Sequence, residues 1–146
     1  GTSLDVETTV VELHGQAQMR GFDLRALFAQ GSVDQAGQVS RALNLPADSP
    51  IADTMQGGYV QASYNVFSQT TTQLALSPYV RYEQIDTQHR VPAGFARDLR
   101  RDGIFKTLGI ELKPIPNVAI KTDYQWITNE AGTGRNQFNV NLGYAF

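Results

Sequence analysis

QFNVNLGYAF, residues 137–146, alternates without a break. Phe138, Val140, Leu142, Tyr144 and Phe146 fall on one side of an extended chain, and Gln137, Asn139, Asn141, Gly143 and Ala145 on the other. Successive side chains of a strand point to opposite faces, so this pattern predicts a two-faced β-strand. Residues 118–126 repeat it, with Val118, Ile120, Thr122, Tyr124 and Trp126 against Ala119, Lys121, Asp123 and Gln125. Residues 104–113 set Leu108, Ile110 and Leu112 against Thr107, Gly109, Glu111 and Lys113. Residues 73–85 set Leu74, Leu76, Val80 and Tyr82 against Ser77, Tyr79, Arg81 and Glu83. The rhythm continues through 58–67 (Val60, Ala62, Tyr64, Val66 against Gln61, Ser63, Asn65) and 22–30 (Leu24, Ala26, Phe28 against Asp23, Arg25). It is less sharp in 8–19, where Val11, Leu13, Gly15, Ala17 and Met19 oppose Val10, Glu12, His14, Gln16 and Gln18. Seven strands are predicted in one domain, residues 1–146.

The connections alternate in length. Those at Arg20 and Gly21, at 68–72 and at 114–117 are short, whereas 31–57, 87–103 and 128–136 are long. Short turns on one rim and long loops on the other are the pattern of an antiparallel up-and-down transmembrane β-barrel, with the short turns periplasmic and the long loops extracellular. With Phe146 at the periplasmic end, all the connections sort onto the matching rims. The 31–57 loop is expected to hold a short helix capped by Ser32, with Gln35 at the third helical position and Pro46 following Leu43 and Asn44.

Composition removes several classes. The chain has 146 residues and a net charge of -2, without the concentrated basic surface that nucleic acid requires. It has no cysteine, which rules out disulfides, thiolate metal sites and thiol nucleophiles. No run approaches the ~18–20 apolar residues of a membrane-spanning helix. Residues 1–7 contain no basic start followed by an apolar run, so a secretion signal, if the protein has one, is expected to have been removed or to lie outside this sequence.

Alternation alone also fits a soluble antiparallel sandwich, whose apolar faces build a core. Aromatic placement points instead to lipid. Trp126 and Phe138 flank one long loop, Phe28 and Tyr82 stand beside others, and Phe22, Tyr144 and Phe146 mark the opposite rim, with aliphatics between. Two aromatic girdles are the signature of a membrane barrel. The opposite faces carry charges two residues apart: Asp23 with Arg25, Arg81 with Glu83, Glu111 with Lys113, and Lys121 with Asp123. The end of the chain, with Leu142, Tyr144 and Phe146, resembles the C-terminal signature by which the barrel-assembly machinery recognises bacterial outer-membrane barrels.

Residues 77–86, with Tyr79 and Arg81-Tyr82-Glu83, the following Val91-Pro92-Ala93-Gly94-Phe95, the stretch from Thr107 to Lys113-Pro114, Pro116-Asn117-Val118 with Lys121, and the closing Gly143-Tyr144-Ala145-Phe146 resemble the late strands of the phosphate-selective porin family. The resemblance covers the last ninety or so residues. It implies a water-filled channel of about sixteen strands in the outer membrane of a Gram-negative bacterium, of which this chain is the C-terminal part. Bacterial barrels carry an even number of strands, so seven imply a larger barrel. The family's basic constriction residues match nothing in this sequence residue by residue.

The expected function is passive diffusion of small hydrophilic solutes or ions, anions included, along a wall formed by Arg25, Arg81, Glu83, Glu111, Lys113, Lys121, Asp123 and Gln125. Two alternatives stay open: a barrel whose long loops serve as a surface scaffold or adhesin, and a soluble β-domain. Glu12 and His14 share a face and read as a polar wall pair more readily than as metal ligands. His14 and His89 are the only histidine bases and no nucleophile motif frames them, so neither an enzyme nor a cofactor is expected. Arg97, Arg100, Arg101 and Lys106 are candidates for contact with the phosphates of outer-membrane lipid and lipopolysaccharide. A symmetric 113–117 hairpin would set Lys121 opposite Gly109 and diagonal to Glu111, predicting a Lys121–Glu111 contact. A homo-oligomer is compatible with this reading.

Overall fold

The computed structural model describes residues 5–145. Seven strands follow one another: β1 (Thr8–Met19), β2 (Phe22–Val33), β3 (Thr54–Tyr64), β4 (Ala75–Arg90), β5 (Asp102–Ile115), β6 (Val118–Asn129) and β7 (Gln137–Tyr144). A helix, α1 (Ala36–Ala42), and a 3-10 turn, Leu99–Arg101, occupy two of the long connections. The strand order in the sheet is the order in the chain, and every neighbouring pair is antiparallel. The seven predicted strands and their up-and-down order are therefore present. They form one open sheet, with β1 and β7 at its edges, rather than a closed barrel. Phe146, the last residue of the predicted closing strand, lies outside the described residues.

The β1–β2 turn shows why its sequence is Arg20-Gly21. Both residues have positive φ, 49° and 90°, as a two-residue hairpin turn matched to strand twist requires. Glycine alone suits the second position, because a Cβ there would also collide with the Ser68 hydroxyl.

Several predicted boundaries move. β2 continues to Val33, so Ser32 pairs with Thr54 in the ladder and does not cap the helix. The cap position falls to Gln35, in left-handed conformation and without a side-chain cap bond. β3 begins at Thr54 and ends at Tyr64, where the Asn65 side-chain Oδ1 accepts the Phe67 amide and its backbone carbonyl accepts the Ser68 amide, closing a turn. Pro114 lies inside β5, and the ladder to β6 is interrupted between Leu112 and Ile115. Proline has no N–H to give a ladder, so an irregularity there is its natural place. The result is Glu111 opposite Lys121 and Gly109 opposite Asp123, two residues from the symmetric register.

The short-turn rim is staggered. On one cross-strand row, Asp23 and Ser63 each lie one residue from the turn end of β2 and β3, whereas Gly109 lies six residues before Ile115 at the end of β5. A sheet that closes on itself must carry such a shear.

Burial across the sheet is inverted relative to a soluble β-protein. Leu108 is 52% exposed, Val80 53% and Trp126 44%, while Thr107, Asp123 and Tyr79 on the other face are 6%, 7% and 4% exposed. The polar side chains line the sheltered face and the aliphatic ones stand outside. The described residues accordingly have little apolar core: Ala36, Ala52 and Tyr79 are its buried members.

Candidate functional site

Two rows of side chains cross the sheltered face. One runs Gln18, Asp23, Ser63, Tyr79, Gly109, Asp123, Asn139; the next runs Gln16, Arg25, Gln61, Arg81, Thr107, Gln125, Gln137. Period-two alternation on each strand and the antiparallel register deliver one residue per strand to each row. All eight predicted wall residues lie on this face.

Hydrogen bonds knit the rows. The Arg25 guanidinium donates to Asp23 through Nε at 3.0 Å and Nη2 at 2.8 Å, and Gln16 and Gln18 donate to the same carboxylate. Arg81 Nε donates to Glu83 at 2.7 Å while its guanidinium lies 3.7 Å from the Tyr59 ring centre. Lys113 pairs with Glu111 at 3.2 Å. Gln137 donates to Gln125, which donates to Thr107.

At the centre, the Tyr79 hydroxyl donates to Asp123 at 2.8 Å and Asn139 donates to the other carboxylate oxygen at 2.8 Å. The tyrosine ring lies flat enough on β5 that only a glycine fits beneath it: a Cβ at Gly109 would meet ring atoms at 2.5 Å. Lys121 Nζ sits 4.4 Å from the centre of the same ring. The predicted Lys121–Glu111 pair is thus replaced. The two residues stand directly across from each other, but Glu111 turns to Lys113 and Lys121 to Tyr79. A cation over an aromatic face is attracted by the ring quadrupole.

The face is not polar throughout. One row nearer the long loops, Leu27, Tyr59, Phe105 and Ile127 point to the same side as Arg25 and Thr107. Sequence reading passed over them, although their parity with Arg25, Thr107 and Gln125 was the available signal.

The long connections form a second cluster. Residues 34–53 and 91–101 bond through Ala96 to Ala47 and Arg41 to Ala93, and Gln88 near the end of β4 donates to the Pro50 carbonyl. Arg97 is the hub. Its Nη2 lies 3.0 Å from the buried Asp86, 3.5 Å from Glu130 and 3.9 Å from Asp102, and its Nε donates to the Gln88 carbonyl. Arg100 and Arg101 both face Asp98, at 2.8 and 3.8 Å. The Arg100 guanidinium beside Asp98 holds that carboxyl below the usual carboxylate range. Three of the four cations predicted to meet lipid phosphate are therefore engaged with the chain's own carboxylates, because the loop folds back onto β4. Of the four, Lys106 is the one with no carboxylate within ion-pair distance among the described residues.

Arg97→Met removes the charge facing Asp86 and leaves a buried carboxylate short of a partner, which typically costs about 1–3 kcal/mol. The expected outcome is local: proteolysis after Arg100 or Arg101 accelerates while β5–β7 stay protected. Unchanged cleavage would show that Arg97 does not hold the loop.

Elsewhere, His14 Nδ1 lies 2.8 Å from Glu12 in an exposed pair, and His89 Nδ1 lies 3.3 Å from Asp86. Among the described residues no group of three His, Asp or Glu side chains is arranged to hold a metal ion.

Over 112 residues, 73% of this chain, the sequence is 31% identical to an uncharacterized protein of Aquifex aeolicus (strain VF5), and the match covers 26% of that protein. The chain thus spans about a quarter of the relative's length. No family model matches the chain, and no solved structure matches it.

Proposed function

We propose that this chain is a section of the wall of an outer-membrane β-barrel, and that the completed barrel passes small hydrophilic solutes or ions by diffusion. One observation carries the reading: the sheet shelters its carboxylates, guanidinia and amides on one face and leaves aliphatic and aromatic side chains on the exposed face. In water that arrangement forfeits the burial of every Leu, Val and Ile on the apolar side, each worth about 1.5–3 kcal/mol. In lipid it is the favourable one, because the apolar face meets acyl chains and the polar face meets water in the lumen.

The sheared rim and the free edges of β1 and β7 support closure by further strands. A protein with the length of the Aquifex relative has room to supply them. The hydrogen-bonded rows suit a passive wall: arginines and carboxylates neutralise one another in pairs, leaving a surface that water wets and small solutes pass. Selectivity would come from pore width and from the charge at the narrowest level.

The test is planar-bilayer recording of the full-length protein. Steady, ohmic conductance steps are expected. A protein that inserts yet carries no steady current would be a surface scaffold instead, and one that stays monomeric in water without detergent would be neither.

A further inference from the structure

Below the row that contains Asp86 and Asp102, Lys106 is the one charged side chain on the apolar face of the described strands. It stands between Tyr82 and Trp126 on the adjacent strands. The nearest carboxylates on that face are already used: Asp86 by Arg97, and Asp102 by Gln84. A trough of about 980 Å³ starts at Lys106 and Trp126 and crosses the strands over Leu108, Val80 and Ala62 to Gly15.

Height places this lysine. Nine residues separate Lys106 from the rim at Ile115, which at about 3.3 Å each and a tilt of about 40° is roughly 23 Å. An outer-membrane apolar band is about 25 Å tall. Lys106 and its two aromatic neighbours therefore sit at the edge facing the long loops, where tyrosine and tryptophan belong and a lysine stem can carry its ammonium out to the headgroups.

We propose that the trough holds an acyl chain and that Lys106 binds the phosphate of the same molecule, an anionic phosphate-bearing lipid of the outer leaflet. The inference rests on the membrane reading above. Charge complementarity selects this occupant. Arg25 and Arg81 also border the trough, but their guanidinia lie on the sheltered face with Asp23, Glu83 and Tyr59. Lys106 is therefore the cation on the apolar side, and it needs an anion that arrives with an apolar tail. Free phosphate would satisfy the lysine and leave the trough without an occupant, and a neutral lipid would do the reverse. Arg97, Arg100 and Arg101 are excluded from the site by their own carboxylates.

Trp126, the single tryptophan of this sequence, lines the trough and reports on it. The full-length protein is reconstituted in phosphatidylcholine nanodiscs containing a minority of phosphatidic acid, with bromines on the acyl chains of one lipid or the other. The signal of Trp126 is taken as the difference from Trp126→Phe. Quenching by the brominated phosphatidic acid is expected to exceed that by brominated phosphatidylcholine at equal mole fraction by about fivefold. Lys106→Gln is expected to abolish that excess, and millimolar inorganic phosphate to leave it intact. Equal quenching by the two lipids, or an excess that survives Lys106→Gln, overturns the site while leaving the barrel in place. Loss of the excess on adding inorganic phosphate assigns Lys106 to a free anion and overturns the lipid. If neither brominated lipid quenches Trp126, the apolar face is not in the bilayer, and the membrane reading falls with the site.

Discussion

Gly109→Val is expected to abolish most of the folded protein in detergent micelles, measured as the fraction that resists urea. The new Cβ would lie 2.5 Å from the Tyr79 ring, so the ring must move. It cannot move freely, because its hydroxyl is bonded to Asp123 and the Lys121 ammonium stands over the ring. Displacing it adds an overpacking cost of about 1–3 kcal/mol to about 1–3 kcal/mol for a sheltered carboxylate that loses a donor. Tyr79→Phe keeps the ring and removes only the hydroxyl, so it should show the second cost alone. Gly109→Ala should fall between wild type and valine. If valine at 109 unfolds at the wild-type urea concentration, the ring does not rest on β5 as described.

The contact between Tyr79 and Gly109 was out of reach of the sequence for a definite reason. Each strand could be recognised by itself, since the alternation of Leu108 with Thr107 or Trp126 with Gln125 needs no partner. Contacts across strands depend on register, and register at β5–β6 depends on what Pro114 does to the ladder. A symmetric hairpin was the natural assumption and placed Lys121 two residues away from where it stands. The faces survived this error because a shift of two residues preserves parity.

Strand ends were missed for another reason. Above the level of Tyr82 and Trp126 the outward positions turn polar, with Gln84, Asp86 and Gln88 on β4, so the apolar alternation that marks a strand stops before the ladder does. What extends β4 to Arg90 is hydrogen bonding to the loops: Gln88 to Pro50, Asp98 and Arg97, and Asp53 to the Arg90 carbonyl. The same folding back took Arg97 from its predicted lipid contact. Loop arginines read in isolation look free, and only the fold brings Asp86, Asp102 and Glu130 around one of them.

Ile110→Arg separates a lipid-facing sheet from one that waits for a second protein layer. Ile110 lies on the apolar face beside Pro78 and Thr122. It is five residues from Ile115, a height of roughly 13 Å with the rise and tilt used for Lys106. That is the middle of a band about 25 Å tall, where arginine on the lipid face costs about 2–4 kcal/mol. Ile104, on the same strand and face, is eleven residues from the rim, or roughly 28 Å, beyond the band. Arginine there should cost no more than about 1 kcal/mol. Gln125→Arg, on the sheltered face between Thr107 and Gln137, should also be mild. Unfolding of the full-length protein from lipid vesicles measures all three. Height alone sets the order expected in a bilayer, Ile110 far above Ile104. A packed protein layer over the apolar face has no such dependence, so equal penalties at 104 and 110 would sink the membrane assignment.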